Sequence, residues 1–321
     1  MRRMAWMAAA MSGLLAIATA CATPPSSPAP QPVRLTLSIP FSGAWESIGR
    51  ALAAEYAARL PEVRPDVVMG QSLESQVDAL QAGQADLALE DAETAYLAYS
   101  SGTAAVPTPH ASLRAIGVMF SIAVQVAVPA STGITSIEQL QGRRVDVGAA
   151  GGSVDRASRI IFESYGFGFD RIVPVASGND TLEQFKRGDL DARVFYSAFK
   201  HPVIDAISRE VDVRVLPIDR RVLGAIQERH HFLKSTNIPA GTYPNQAADV
   251  RTVGMDVLLL CRQELPEPLA YTLTKTLFES VPALQRAHES AGLIDAERGP
   301  TAPIPLHPGA ARFYREREIL K

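Results

Sequence analysis

Ile238-Pro239-Ala240-Gly241-Thr242-Tyr243-Pro244 is echoed near the C-terminus by Pro303-Ile304-Pro305-Leu306-His307-Pro308-Gly309-Ala310, and these two runs decide how the chain reads. Proline fixes φ and glycine is free to take positive φ, so each run is expected to be a rigid, shaped connection rather than a helix or a central strand. No local reaction motif has this form.

Outward from these runs, short apolar stretches alternate with helical periodicity. Val33 to Ile39 reads as a strand, Ser42-Gly43 as a turn, and Trp45 to Leu60 as a helix with Trp45, Ile48, Leu52 and Tyr56 on one face. A strand follows at Val67 to Met69, a helix at Gln76 to Leu80, a strand at Ala85 to Leu89 and a helix at Ala92 to Tyr99. Leu113 to Met119 and Ala123 to Val128 read as two more strands. The pattern then restarts with helix Ser136 to Gln141, strand Arg144 to Gly148 and helix Val154 to Tyr165, then strand Ile172 to Val175, helix Thr181 to Arg187 and strand Ala192 to Tyr196. An apolar strand from Val253 to Cys261 and a helix from Pro268 to Phe278 close the series. Such alternation predicts an α/β fold on a parallel sheet.

Four segments carry a family resemblance in this order: Ala79-Leu80-Gln81-Ala82-Gly83-Gln84-Ala85-Asp86-Leu87-Ala88-Leu89, Leu140-Gln141-Gly142-Arg143-Arg144-Val145-Asp146-Val147-Gly148-Ala149, and the two proline-glycine runs. Together they resemble the TAXI family, the extracytoplasmic solute-binding receptors of TRAP transporters, over roughly Val33 to Arg315. The resemblance implies a two-lobed type II periplasmic binding protein with a central interlobe cleft, a fold that the alternation fits; the alternation alone equally fits a flavodoxin-like tandem. Lobe 1 is expected over 33–126 plus 246–321 and lobe 2 over 127–245. The implied function is capture of a small organic anion or amino-acid-like solute and its delivery to a TRAP-type membrane permease. A ligand sensor of the same fold, or an enzyme on a binding-protein-like fold, is the alternative.

Met1-Arg2-Arg3, the apolar stretch to Ala20 and the small residues before Cys21 read as an export signal over 1–20. Ala18-Thr19-Ala20-Cys21 resembles a lipobox, in which Cys21 would carry the lipid anchor; cleavage at an A-x-A-type site is the other reading. The apolar run falls short of the ~20 residues of a membrane span. Residues 21–32, with Pro24, Pro25, Pro28, Pro30 and Pro32, read as a semi-rigid tether. The expected location is therefore the periplasm or cell envelope, by a lipid anchor or free. The formal charge is −3, and loss of Arg2 and Arg3 with the leader takes it to −5. A mildly acidic chain of this kind calls for no nucleic-acid partner. With Cys21 and Cys261 the only cysteines, lipidation leaves Cys261 without an intramolecular partner, and its apolar neighbours suit a buried small side chain.

Open α/β sheets bind ligands where strands end and helices begin. The candidate ligand contacts therefore lie in four loops: Ser42, Gly43, Trp45 and Glu46; Gln71 and Ser72; Gly151, Gly152 and Ser153; Tyr196 and Ser197. Against the family's loops, Ala44 replaces a hydroxyl, Glu46 replaces an aromatic, and the hydroxyl near Gly151-Gly152 has moved. Glu46 either stabilises its helix start through the dipole or selects ligands by charge. Trp45 and Tyr196 are either cleft walls or core, and Asp155 suits a helix brace. Catalytic residues are not expected: His230-His231 lack the i, i+4 spacing of a helical metal pair, no G-x-S-x-G elbow occurs, and Gly151-Gly152 lack a phosphate loop's lysine. Neither metal nor cofactor is implied.

Overall fold

In the computed structural model the described residues are 32–40, 43–72, 74–230 and 232–321. The leader, Cys21, the tether up to Gln31, Ser42 and His231 lie outside them.

β1 (Val33–Ile39) is followed by α1 (Gly43–Arg59), which begins two residues before Trp45. Ile48, Leu52 and Tyr56 of α1 are fully buried, as their spacing requires, and the Tyr56 hydroxyl donates to the Leu273 carbonyl at 3.1 Å. β2 (Val63–Met69), α2 (Ser75–Gln81), β3 (Leu87–Asp91) and α3 (Ala92–Ser101) complete the first block. β2 and β3 both pair with β1 in parallel.

The two strands expected between Leu113 and Val128 are one, β4 (Leu113–Pro129), buried along nearly its whole length. Ser121 lies between the two expected strands. Its hydroxyl donates to Asp256 Oδ1 at 2.9 Å on a neighbouring strand, so a polar side chain sits mid-strand without cost to the ladder. The expected helix at Ser136 to Gln141 is a short 3-10 turn, Ile137–Leu140.

β5 (Arg144–Asp146), α4 (Ser153–Ser164), β6 (Val173–Pro174), α5 (Thr181–Arg187) and β7 (Ala192–Ser197) form the second block, again with parallel pairing of β5 to β6 and β7. Sequence reading missed the next four elements: α6 (Pro202–Ser208), β8 (Val213–Leu216), α7 (Arg220–Arg229) and β9 (Leu233–Ile238). They are short, and the helices bury only two apolar side chains each, Ile204 and Ile207 in α6 and Leu223 and Ile226 in α7. β10 (Val250–Arg262) follows, then α8 (Glu267–Glu279), α9 (Val281–Ala287) and α10 (Pro308–Glu316); the last two extend the chain beyond the helix expected to close it.

All strands belong to one mixed sheet of order β2-β1-β3-β10-β4-β7-β5-β6, with β8 on β4 and β9 on β10. The expectation of a parallel sheet holds within each block and fails between them. β10 lies antiparallel to β3, β4 and β9, and β4 antiparallel to β7 and β8. The centre of β10, Val257 to Cys261, is wholly buried, which explains its unbroken apolar run. Cys261 is one of these buried residues, and burial pushes its thiol up.

The two proline-glycine runs have different outcomes. Residues 239–249 are the loop of the β9–β10 hairpin, closed by the Ile238–Val250 pair. Gly241 has φ 75°, and Gln246 Nε2 donates to the carbonyls of Ile238, Pro239 and Ala248, so this run is the shaped connection expected. Tyr243 anchors it, donating to Gln125 Oε1 and accepting from the His201 N–H at 2.8 Å. The C-terminal run instead clips onto β4 and starts a helix. Ala115 N–H donates to Pro305 O, His307 N–H donates to Ala115 O, and α10 begins at Pro308. Gly309 does not take positive φ. It is needed because a Cβ there would meet the backbone of α8, with Tyr271 N at 2.7 Å.

Candidate functional site

A concave feature with a partly apolar lining lies where strand ends and helix starts converge, a cavity of ≈ 730 Å³ including its open mouth. Its floor is a row across three strands: Leu233 of β9 pairs with Met255 of β10, which pairs with Ile122 of β4. Val124, two residues beyond Ile122 on the same face, pairs with Tyr196 of β7, and that register brings Tyr196 into the cavity. Ser153, Arg156, Ala157 and Ile160 of α4 form the opposite wall at i, i+3, i+4 and i+7, one face of a helix. Pro40, Trp45, Asp91 and Glu93 supply the rest. Trp45 is braced edge-on by Phe120, with ring centroids 5.9 Å apart.

Asp91 is 6% exposed and caps α3: its carboxylate accepts from Thr94 N–H at 2.7 Å and from the Thr94 hydroxyl at 3.1 Å. Burial raises its pKa. Burial and then the charge of Asp91 raise that of Glu93. Neighbouring Glu90, fully buried, is pushed well above the carboxylate range by desolvation first. The Tyr196 hydroxyl is buried and has no hydrogen-bond partner among the described residues; desolvation, then Asp91 and Glu93, push it up. The site thus combines an apolar floor, a small hydroxyl at a helix start, two carboxyl groups and one guanidinium. Such a cavity suits a small, partly apolar solute held by a few polar groups. Among the described residues no group of three or more His, Cys, Asp and Glu is arranged to hold a metal ion.

Of the residues expected from sequence, Trp45, Ser153 and Tyr196 come together in this cavity. Gly43 opens α1. Glu46 does not line the cavity; it pairs with Arg50 one turn on, at 2.9 Å. Gln71 and Ser72 are outside it too, their N–H groups donating to Ser75 Oγ at 2.9 and 3.1 Å. Gly151, with φ 76°, and Gly152, the cap of α4, shape the loop before the wall rather than the wall. Ser197 turns to Gln125 and to the Ala198 carbonyl. Asp155 braces its helix as expected, bound to Arg159 and to the Gly151 N–H. Sequence reading missed Asp91, Glu93 and Arg156. Glu90-Asp91 sits at the end of a strand already recognised, so the strand-end rule pointed there; the α4 face was legible in the spacing of Ser153, Arg156, Ala157 and Ile160.

A mixed sheet with two parallel blocks joined by long through-running strands, and a cavity where both blocks' strand ends meet, define a two-lobed type II periplasmic-binding-protein fold. Similar folds are found in the periplasmic aliphatic sulphonate binding protein SsuA from Escherichia coli (18% identity, 89% of this chain and 84% of that one, TM-score 0.50) and in PhnD1 from Prochlorococcus marinus in complex with methylphosphonate (11%, 90% and 97%, 0.51). XAC2383 from Xanthomonas citri bound to ATP is a third (14%, 90% and 99%, 0.51). The chain belongs to the NMT1-like family, whose match covers residues 39–317.

Proposed function

We propose that the chain is an extracytoplasmic solute-binding receptor, without enzymatic activity, that captures a small solute by closing two lobes and hands it to a membrane permease. The observation that carries this is the cavity itself: its walls come from both α/β blocks, so a ligand touching both favours the closed form. The lobes are 33–126 plus 246–321 and 127–245. The first of these proposed boundaries lies within β4 and the second in the loop between β9 and β10. The contacts are Trp45, Ser153 and Tyr196 together with Asp91, Glu93 and Arg156.

The four TAXI-like segments favour a TRAP-type permease as the partner, and the lipobox-like Ala18-Thr19-Ala20-Cys21 favours anchoring at the cell envelope through Cys21. Native mass spectrometry of the purified protein is expected to find a retained small molecule, and thermal shift to rise with it. An empty protein that no metabolite stabilises would overturn the receptor reading. Cys21→Ser is expected to release the protein from the membrane; an unmodified N-terminus on the membrane-bound wild type would count against lipidation alone.

A further inference from the structure

Among the described residues, the carboxyl groups that line the cavity have no cation at ion-pair distance. Glu93, half-buried in the first turn of α3, has no hydrogen bond or ion pair among the described residues. Asp91 accepts from Thr94 and, among the described residues, faces no cation at ion-pair distance. Among the described residues Arg156 makes one long hydrogen bond, 3.4 Å to the Gly151 carbonyl, and no ion pair with either acid. The buried Tyr196 hydroxyl has no hydrogen-bond partner among the described residues. A second cavity of ≈ 570 Å³ shares Glu93 and Arg156 with the first and adds Glu74, whose Oε2 accepts from the Ala104 N–H at 3.1 Å. Three carboxyl groups therefore line the two neighbouring cavities against one guanidinium.

Burial and mutual repulsion make these carboxylates costly in the empty site, and a bound cation removes that cost whereas a dianion adds to it. Resting on the receptor reading, we propose that the cavity takes a small solute with at least one protonated amine and no more than one carboxylate. The ammonium lies against Asp91 and Glu93, a carboxylate where present meets Arg156, and the Tyr196 hydroxyl accepts from the one or donates to the other.

Titrating the purified full chain with L-lysine, 1,4-diaminobutane, succinate and methylphosphonate tests this. L-lysine and 1,4-diaminobutane are expected to bind, and Glu93→Gln to weaken both tenfold or more. Arg156→Gln is expected to weaken L-lysine and strengthen 1,4-diaminobutane, which only a cation-selective site would do. Competition in the wild type gives the same ranking without any variant. Preferred binding of succinate or methylphosphonate overturns the amine selectivity and leaves the receptor reading standing. Amine binding unchanged by both Glu93→Gln and Asp91→Asn overturns the assignment of the site. Binding of none of the four, with no small molecule retained on purification, overturns both readings together.

Discussion

Among the described residues, histidine caps three helical starts. Nδ1 of His201, His288 and His307 accepts the N–H two residues on, at 3.2, 3.2 and 3.1 Å. Only a neutral ring has that acceptor, and burial lowers the pKa of all three, that of His201 to about 4 with help from nearby Arg193. The folded values lie below the unfolded one, so this stabilisation is fully present above about pH 6.5 and is lost as pH falls towards the folded values. For His201 alone the loss between about pH 6.5 and 4 amounts to at most about 3 kcal/mol. His201→Asn keeps a capping acceptor without a titrating proton, so it is expected to flatten the acid limb of stability against pH, measured by urea unfolding. An acid limb as steep as in the wild type would show that the cap does not titrate there. Glu46 is the opposite case, a residue whose meaning depended on its direction. Paired with Arg50 on the outside of α1, it is expected to leave ligand ranking unchanged when replaced by Gln, and a changed ranking would place its carboxylate at the ligand.

At the scale of elements, the same residue type does two jobs in the two proline-glycine runs. Gly241 supplies positive φ with nothing near its Cβ position, whereas Gly309 supplies closeness to α8. Gly241→Ala is therefore expected to cost about 1–2 kcal/mol through backbone conformation alone. Gly309→Ala must push α10 off α8 and is expected to cost about 1–3 kcal/mol, occasionally more. Denaturant midpoints of the two variants, combined with proteolysis at the C-terminus, separate these effects: only the second is expected to loosen α10. β10 behaves as its apolar run implies. Leu259, wholly buried between β3 and β4, is expected to cost about 2–5 kcal/mol as Ala, and a smaller loss would mean that the sheet centre collapses around the gap.

At the scale of the whole molecule, a ligand that binds only the folded state adds about 2.7 kcal/mol of stability at a hundredfold excess over Kd. That stabilisation is expected to come with compaction in solution scattering, and stabilisation without compaction would mean binding without lobe closure. Much of the architecture was legible beforehand. β1 and α5 fall where their apolar spacing put them, and the α/β alternation follows from local periodicity, because a strand or helix face is written within a few residues. The strand-end rule likewise led to Trp45, Ser153 and Tyr196. What the sequence by itself determined is thus the kinds of elements, their order and the loops available for a site. Tertiary structure alone decided that Leu113–Pro129 is one strand, that β10 lies between β3 and β4, and that Leu233, Met255 and Ile122 form a common floor. It also decided that Asp91, Glu93 and Arg156 share a cavity while Glu46 turns away. Those outcomes depend on pairing between residues far apart in the chain, where register and packing, rather than local preference, set which side chains meet.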